Sequence, residues 1–523
     1  MAIDRLALAA GASLLLSGCT LGPNFEQPSL FAPSTWFTSR TASKLGTSRT
    51  VPEPVDPNWW RLFKDPQLTS LEERVAAANL NVRLSTIRLT ESRSQRAVTA
   101  SDQFPNLNGN SSYTREKISN RGVAGLFGGS GGSSSATQTS SNGLGGTVGG
   151  IPSVGITGGK AAGIPPFNLF QYGFDASWEL DLWGRVQREV ESADATVESS
   201  VEARRNMLLS VVAELARDYL QLRGQQRDLQ IANENLATEQ QTLGLTQQRA
   251  SGGLTTDLDV ANASAQVATT ASQIPQLEQG LAASINAISL LLGEPPGALA
   301  AELGAAKPVP PVPPTAPVGL PSELARRRPD IRQAEAQLHS ATADIGVAEA
   351  DFFPKVTLSG SIGIQATRFK DLGNWDSRMY SGGPSISLPL FEGGRLKYTL
   401  ELRKAQQQEA ATNYQQTVLQ AFHDVDNALT AYGAEQRRRV QLNRAVEQSR
   451  RAVGLARDQY KQGTSSFLDV LTAQRGLLVA EQQYADSTTT LSTNLVQLYK
   501  ALGGGWEQTF PRGDTSEKTP KLF

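Results

Sequence analysis

The 523-residue sequence is poor in several things at once, and each shortage closes off a class of function. It has one cysteine, Cys19, so no disulfide can form within the chain. Its two histidines, His339 and His423, lie inside helical patterns and far from any second ligand, which argues against a metal centre. Aromatic residues make up 7% of the chain and the formal charges cancel to −1, so nothing calls for nucleic acid or another polyanion as a partner. No stretch reaches the roughly 20 apolar residues that a membrane-spanning helix needs. The glycines at 125–150 lack the lysine and following helix of a phosphate-cradling loop. Carboxylates are plentiful, but they fall on helical faces where their ordinary role is solvation. Catalysis and cofactor binding find no support in these residues.

What is present starts at the N-terminus. "LALAAGASLLLSGC", residues 6–19, follows Arg5 and has the length and apolar character of a signal peptide. Leu16, Ser17 and Gly18 directly before Cys19 resemble a bacterial lipobox, in which the cysteine carries covalent diacylglyceryl and N-acyl lipid and becomes the mature N-terminus. Thr20 follows where an inner-membrane retention signal would place aspartate, so the expected destination is the outer membrane.

The chain also repeats itself. "GR" at 184–185 and 394–395, Gly253 and Gly463, "LDV" at 258–260 and 468–470, and "LG" at 292–293 and 502–503 are all 210 residues apart. Upstream the offset becomes 249, pairing Asn81 with Asp330, Asp102 with Asp351 and "FP" at 104–105 with "FP" at 353–354. The first half therefore holds an insertion of 39 residues, which contains the Gly/Ser-rich segment 125–150, read as an exposed spacer. The expected order is a signal peptide (1–18), a lipidated Pro-rich segment (19–64), a first structural repeat (65–293), a Pro-rich linker (294–321), a second repeat (322–503) and a tail (504–523).

Each repeat is expected to supply two strands, a long helix and a return helix. In "QYGFDASWELDL", residues 171–182, apolar and polar residues alternate with period two, a strand with one apolar and one acidic face. "KVTLSGSIGIQ", 355–365, and "SISLPL", 385–390, repeat the pattern, while "NLNGNSSY", 106–113, is assigned through the repeat. The expected strands are about 106–116, 168–182, 355–367 and 380–391. Such faces suit either a sheet covered by helices or a membrane barrel; the helices, with no broad apolar face to spare, favour the barrel. Four strands cannot close alone, so the barrel would be shared between protomers.

The long helices are expected over 184–250 and 394–461, each on the order of 100 Å at ~1.5 Å per residue, with return helices over 255–292 and 466–502. Val212, Leu215, Tyr219, Leu222, Leu229, Leu236 and Leu243 mark a narrow coiled-coil seam, repeated by Phe422, Val425, Leu429 and Tyr432. Pro275 should kink or interrupt its return helix. At the tips Gly253 and Gly463 can end one helix in the left-handed conformation, and Thr255–Thr256 and Ser465–Ser466 can cap the next. Asp259 and Asp469 follow in the first turn, where a helix N-terminus favours a carboxylate. They can be caps, or, in a ring of protomers, a cation-selective constriction.

The lipobox, "GPNFEQP" at 22–28, "WWRLFKDPQLTSL" at 59–71, "RRRPDIRQAEAQL" at 326–338, "AEADFFPKVTLSG" at 348–360, "LPLFEGGR" at 388–395 and "LGGGW" at 502–506 occur in the order found in TolC-type outer-membrane factors. The chain most resembles the lipoprotein branch that serves resistance–nodulation–division (RND) efflux pumps. The resemblance implies a mainly α fold with a membrane β-barrel: a homotrimer in which four strands per protomer form a 12-stranded barrel on a long periplasmic α-helical barrel. It implies docking on a periplasmic adaptor protein joined to an inner-membrane RND-type transporter, and passive export of small molecules such as drugs or toxic compounds. The residues matching the adaptor-binding tip are Gly253, Leu254, Thr255, Gly463, Thr464 and Ser465, and those matching the entrance gate are Asp259, Asp469 and Tyr460. Where the family commonly has another aspartate this chain has Thr472, which shifts weight in the gate to packing of Leu468 and Tyr460. Two other readings stay open: the exit duct of a type I protein secretion system, and a coiled-coil envelope lipoprotein without a pore.

Overall fold

A computed structural model of the chain describes residues 20–29, 36, 48–117 and 166–510. The signal peptide, Cys19, the segment 125–150 and the tail beyond 510 lie outside the described residues. Contacts divide the chain into two units, one containing Ala100–Val186 and Asp351–Phe391, the other Thr20–Thr99, Gln187–Ala350 and the chain from Glu392.

The first unit is a four-stranded antiparallel sheet in the order β2-β3-β5-β6, built from β2 (Asn106–Glu116), β3 (Phe167–Leu180), β5 (Lys355–Ala366) and β6 (Arg378–Ser387). Its register keeps the alternation of each strand in phase with its neighbour. Phe174 lies opposite Gly109 and Ile362, Ile362 opposite Tyr380, and Trp178 opposite Leu358, so these residues share one face. Asp175 lies opposite Asn108 and Ser361, and Ser361 opposite Ser381, on the polar face. Among the described residues nothing covers the apolar face: Phe174 is 58% exposed, Ile362 63% and Tyr380 87%. Among the described residues both outer strands, β2 and β6, have one unpaired edge.

Two strands stop short of expectation by two residues or more. β6 stops at Ser387 rather than 391, because Pro389 has no N–H to donate and Gly393 and Gly394 then turn the chain with positive φ. β3 stops at Leu180 rather than 182; the Leu182 N–H turns back to the Leu180 carbonyl at 2.8 Å, and Gly184 at φ +74° leads into the next helix.

The second unit is helical. Its main elements are α1 (Pro66–Ala78), α2 (Leu80–Ser101), α3 (Arg185–Ser251), α4 (Asp257–Leu291), α5 (Pro321–Arg327), α6 (Pro329–Ala350), α7 (Arg395–Gln462) and α8 (Phe467–Ala501). α3 and α7 have 67 and 68 residues, and α4 and α8 have 35 each. Pro275 does not interrupt α4, which continues through it, since turns already formed on both sides propagate more readily than a new helix nucleates. Among the described residues no helix is long and apolar enough to cross a membrane.

The core forms where the segments around Trp59 and Trp506 meet the middle of α3 and the end of α8. Trp59 and Phe63, in a 3-10 turn (Trp59–Phe63), join Leu215 and Tyr219 of α3, Leu495 and Tyr499 of α8, and Trp506 in one buried cluster. The linker adds a three-residue strand β4 (Thr315–Pro317), paired in parallel with β1 (Arg49–Val51). Arg328, nearly buried, forms ion pairs with Asp330 at 2.6 Å and Asp424 at 3.1 Å and donates to the Ala501 carbonyl at the end of α8. The N-terminal segment is tied down as well. Arg188 donates to the carbonyl of Leu21 at 3.0 Å and to Asn24 Oδ1 at 2.7 Å, and Phe25 stacks on His339 at 4.4 Å.

The coiled-coil seam changes character along its length. Val212, Leu215, Tyr219 and Leu222 are buried as expected, but Leu229, Leu236 and Leu243 are only half-buried. Beyond Ala232 the buried positions of α3 are Asn235, Glu239, Thr242 and Thr246, still at alternating four- and three-residue spacing. Thr246 donates within its own helix, to the Thr242 carbonyl at 2.9 Å, and one oxygen of Glu239 is buried without a partner among the described residues, but Glu239 and Thr242 also bond across the helices. Gln266 of α4 donates to Glu239 at 3.0 Å and accepts from Arg475 of α8 at 2.7 Å, while Gln474 donates to Thr242 at 3.0 Å.

Asp228 lies where the two regimes meet. Burial, reinforced by the Asp486 carboxylate and opposed by Arg227, pushes its pKa up to about 6 from an ordinary value of 3.8. A raised carboxylate pKa means the folded chain keeps its proton while the unfolded chain loses it, so stability falls as pH rises from about 4 to about 6 and stays reduced above. Asp228→Asn should therefore raise the thermal unfolding midpoint at pH 7.5 and lose that advantage near pH 4. Circular dichroism melts at both pH values would test this, and an unchanged midpoint at pH 7.5 counts against it.

Candidate functional site

The tips of the two helical hairpins carry every residue singled out for gating and docking. α3 ends in a Schellman turn: the Gly253 N–H donates to the Ala250 carbonyl at 2.9 Å and the Leu254 N–H to the Arg249 carbonyl at 2.8 Å. α7 ends in the same way, Gly463 donating to Tyr460 at 3.0 Å and Thr464 to Gln459 at 2.9 Å. Gly253 and Gly463 have φ of +72° and +76°, and a Cβ at either would meet open space. The demand for glycine is thus entirely in the backbone.

The return helices begin with capping boxes. Thr256 caps α4, its hydroxyl accepting from the Asp259 N–H at 3.4 Å while the Asp259 carboxylate accepts from the Thr256 N–H at 3.4 Å and from the hydroxyls of Thr255 and Thr256. Ser466 caps α8, and Asp469 accepts from the Ser466 N–H at 3.0 Å and hydroxyl at 2.8 Å. Both aspartates are therefore engaged at helix N-termini, with Asp469 exposed and Asp259 half-exposed.

The other two gate residues lie in opposite environments. Tyr460 is buried with Phe467, Val470, Leu471 and Ala263, its ring meeting that of Phe467 edge-on at 5.7 Å. Leu468 is 63% exposed, and Leu254 and Leu258 are exposed as well, leaving several large apolar side chains at the tips uncovered by their own chain.

One residue at the tips went unnoticed in the sequence. Arg249, in the last turn of α3, crosses to the other hairpin, donates to the Tyr460 carbonyl at 2.8 Å and the Lys461 carbonyl at 3.3 Å, and places its guanidinium carbon 4.5 Å from the centre of the Tyr460 ring. It thus sits on the negative end of α7 and binds the two tips together within one chain. A basic residue in a last helical turn was the available signal, but sequence alone did not show which carbonyls it would reach.

Paired helical hairpins with Schellman tips and capping boxes, together with an antiparallel sheet apolar on one face and polar on the other, fit an outer-membrane channel of the TolC type. The chain belongs to the outer membrane efflux protein family, whose model matches residues 152–294 and 320–504. It is 29% identical over 496 residues to the probable outer membrane lipoprotein SilC of Salmonella typhimurium, covering 94% of this chain and 97% of that one. It is 28% identical over 501 residues to the toluene efflux pump outer membrane protein TtgI of Pseudomonas putida, covering 95% and 97%. Its fold is similar to that of the outer-membrane channel OprN, with a TM-score of 0.81, 34% identity, and coverage of 94% of this chain and all of that one. The protein is an outer-membrane channel of an efflux system and extends into the periplasm.

Proposed function

We propose that this chain is one protomer of a homotrimeric efflux duct, with four strands per protomer forming a 12-stranded barrel in the membrane and the long hairpins, as two structural repeats, forming a periplasmic tube. The observation that carries this reading is the sheet: among the described residues it has one apolar face left uncovered, a polar opposite face, and two unpaired edges. An open edge cannot persist in lipid, so closure needs further copies of the same sheet. The equal lengths of α4 and α8 and near-equal lengths of α3 and α7 support two equivalent halves.

At the periplasmic mouth the tip residues Gly253, Leu254, Thr255, Gly463, Thr464 and Ser465 would dock on an adaptor protein joined to an RND-type inner-membrane transporter. Asp259, Asp469, Tyr460 and Leu468 would constrict the entrance until docking draws the return helices apart. Cys19 would carry the lipid anchor, a reading supported by the lipobox and by SilC, named as a lipoprotein. TtgI, named for toluene efflux, supports export of small toxic compounds; the chain's own contribution is passive, with energy supplied by the transporter.

The test is single-channel conductance of the purified protein in a planar bilayer, beside the Asp259→Ala/Asp469→Ala variant, with a native mass measurement on the same samples. A trimer passing a small cation-preferring current that grows or loses its preference in the variant is the expected result. Identical currents would leave the aspartates as caps alone, each worth about 1 kcal/mol to its helix. Absence of a trimer would overturn the shared barrel.

A further inference from the structure

Beside Pro308 and Val309 of the linker a cavity of about 240 Å³ opens between α3, α7 and α8. Its charge is lopsided. Arg227 from α3 and Arg439 and Arg450 from α7 line it together with a single carboxylate, Glu481 of α8; Asp228, next to Arg227, does not line it. Glu481 is already engaged, since Arg450 donates from Nε at 3.0 Å and from Nη2 at 2.8 Å to the same Oε1.

The other two guanidiniums lack comparable partners. Arg439 is held by neutral oxygens: Nε donates to Thr488 Oγ1 at 3.0 Å and Nη2 to the Tyr484 hydroxyl at 3.1 Å, with its carbon 5.2 Å from the centre of the Tyr484 ring. Hydroxyls orient a guanidinium without neutralising it, and two of its five N–H groups serve these contacts. Arg227 meets a carboxylate only at 3.8 Å, from Glu234, beyond hydrogen-bonding distance. Ile231, Val446 and Ala485 supply apolar wall beside these guanidiniums.

We propose that this cavity is an oxyanion site that takes a small carboxylate or phosphate group between Arg439 and Arg227. The planar fork of Arg439, already fixed by Tyr484 and Thr488, matches two oxygens of such a group and has little conformational freedom left to lose on binding. None of the residues that line the cavity belongs to the tip turns.

The test is thermal unfolding of the purified full-length protein, titrated with sodium phosphate or with citrate while sodium chloride holds the ionic strength constant. A saturable rise in the unfolding midpoint is expected for the wild type, and its loss in Arg439→Gln and in Arg227→Gln. The half-exposed Arg227 serves as the second variant should Arg439→Gln fail to fold. A response to phosphate alone would assign a compact inorganic anion, and a response to citrate alone an extended carboxylate. No saturable response in the wild type, or an equal one in the folded variants, would overturn the proposal.

Discussion

Trp59→Ala should lower stability by about 3–5 kcal/mol, the usual loss when a fully buried large aromatic side chain is truncated and its cavity cannot collapse. Trp59 is 0% exposed. Its ring stacks on Tyr499 at 5.4 Å and meets Trp60 edge-on at 5.8 Å, and its Nε1 donates to the Gly504 carbonyl at 3.1 Å. Gly504 fits because a Cβ there would approach Val55 at 3.2 Å and the Trp59 ring at 3.8 Å. The single side chain thus ties the start of the chain to the end of α8. Trp59→Phe keeps an aromatic ring and loses the donor, so it should cost less. Thermal melts of both variants would check the order; equal midpoints for Trp59→Ala and wild type would show that this contact does not hold the core.

Arg249→Ala should raise single-channel conductance if the tips close the duct as proposed. The variant removes two charge-assisted bonds to carbonyls and a cation–aromatic contact, worth together about 1–3 kcal/mol at a half-exposed site. Since each 1.4 kcal/mol is a factor of about ten, the open fraction should grow by roughly 5- to 150-fold. The Tyr460 cluster remains in the variant, and Arg249→Lys, which keeps the charge but not the flat fork, should fall in between. Conductance equal to wild type in a confirmed trimer would mean that Arg249 fastens hairpins that do not move on opening.

Much of this architecture was legible because it depends on local signals. Period-two alternation in 171–182 and 355–365 pointed to the strands, and Gly253 and Gly463 to the tips, since left-handed turns have few other occupants. What stayed hidden depends on long-range partners. Trp59 and Gly504 are 445 residues apart in sequence, and nothing near either one marks the other. The buried glutamate, asparagine and threonines of the α3 seam read as solvent-facing because polarity by itself does not distinguish water from Gln266 or Gln474. Leu236 and Leu243 attracted the seam assignment because leucine at heptad spacing usually occupies it.

That polar stretch has a mechanical consequence. Parting an apolar seam exposes oily surface at about 25 cal/mol per Å², a cost that water does nothing to refund. Parting Glu239 from Gln266, or Thr242 from Gln474, exchanges one hydrogen bond for others made by incoming water, at a net cost of only about 1 kcal/mol each. The polar stretch of α3 thus lies between two apolar contacts, the core around Trp59 and the tip cluster around Tyr460. If a partner grips the tips as proposed, most of the resistance to parting would come from the apolar cluster around Tyr460, and the polar stretch behind it would follow at little further cost, with the core around Trp59 as the fixed end.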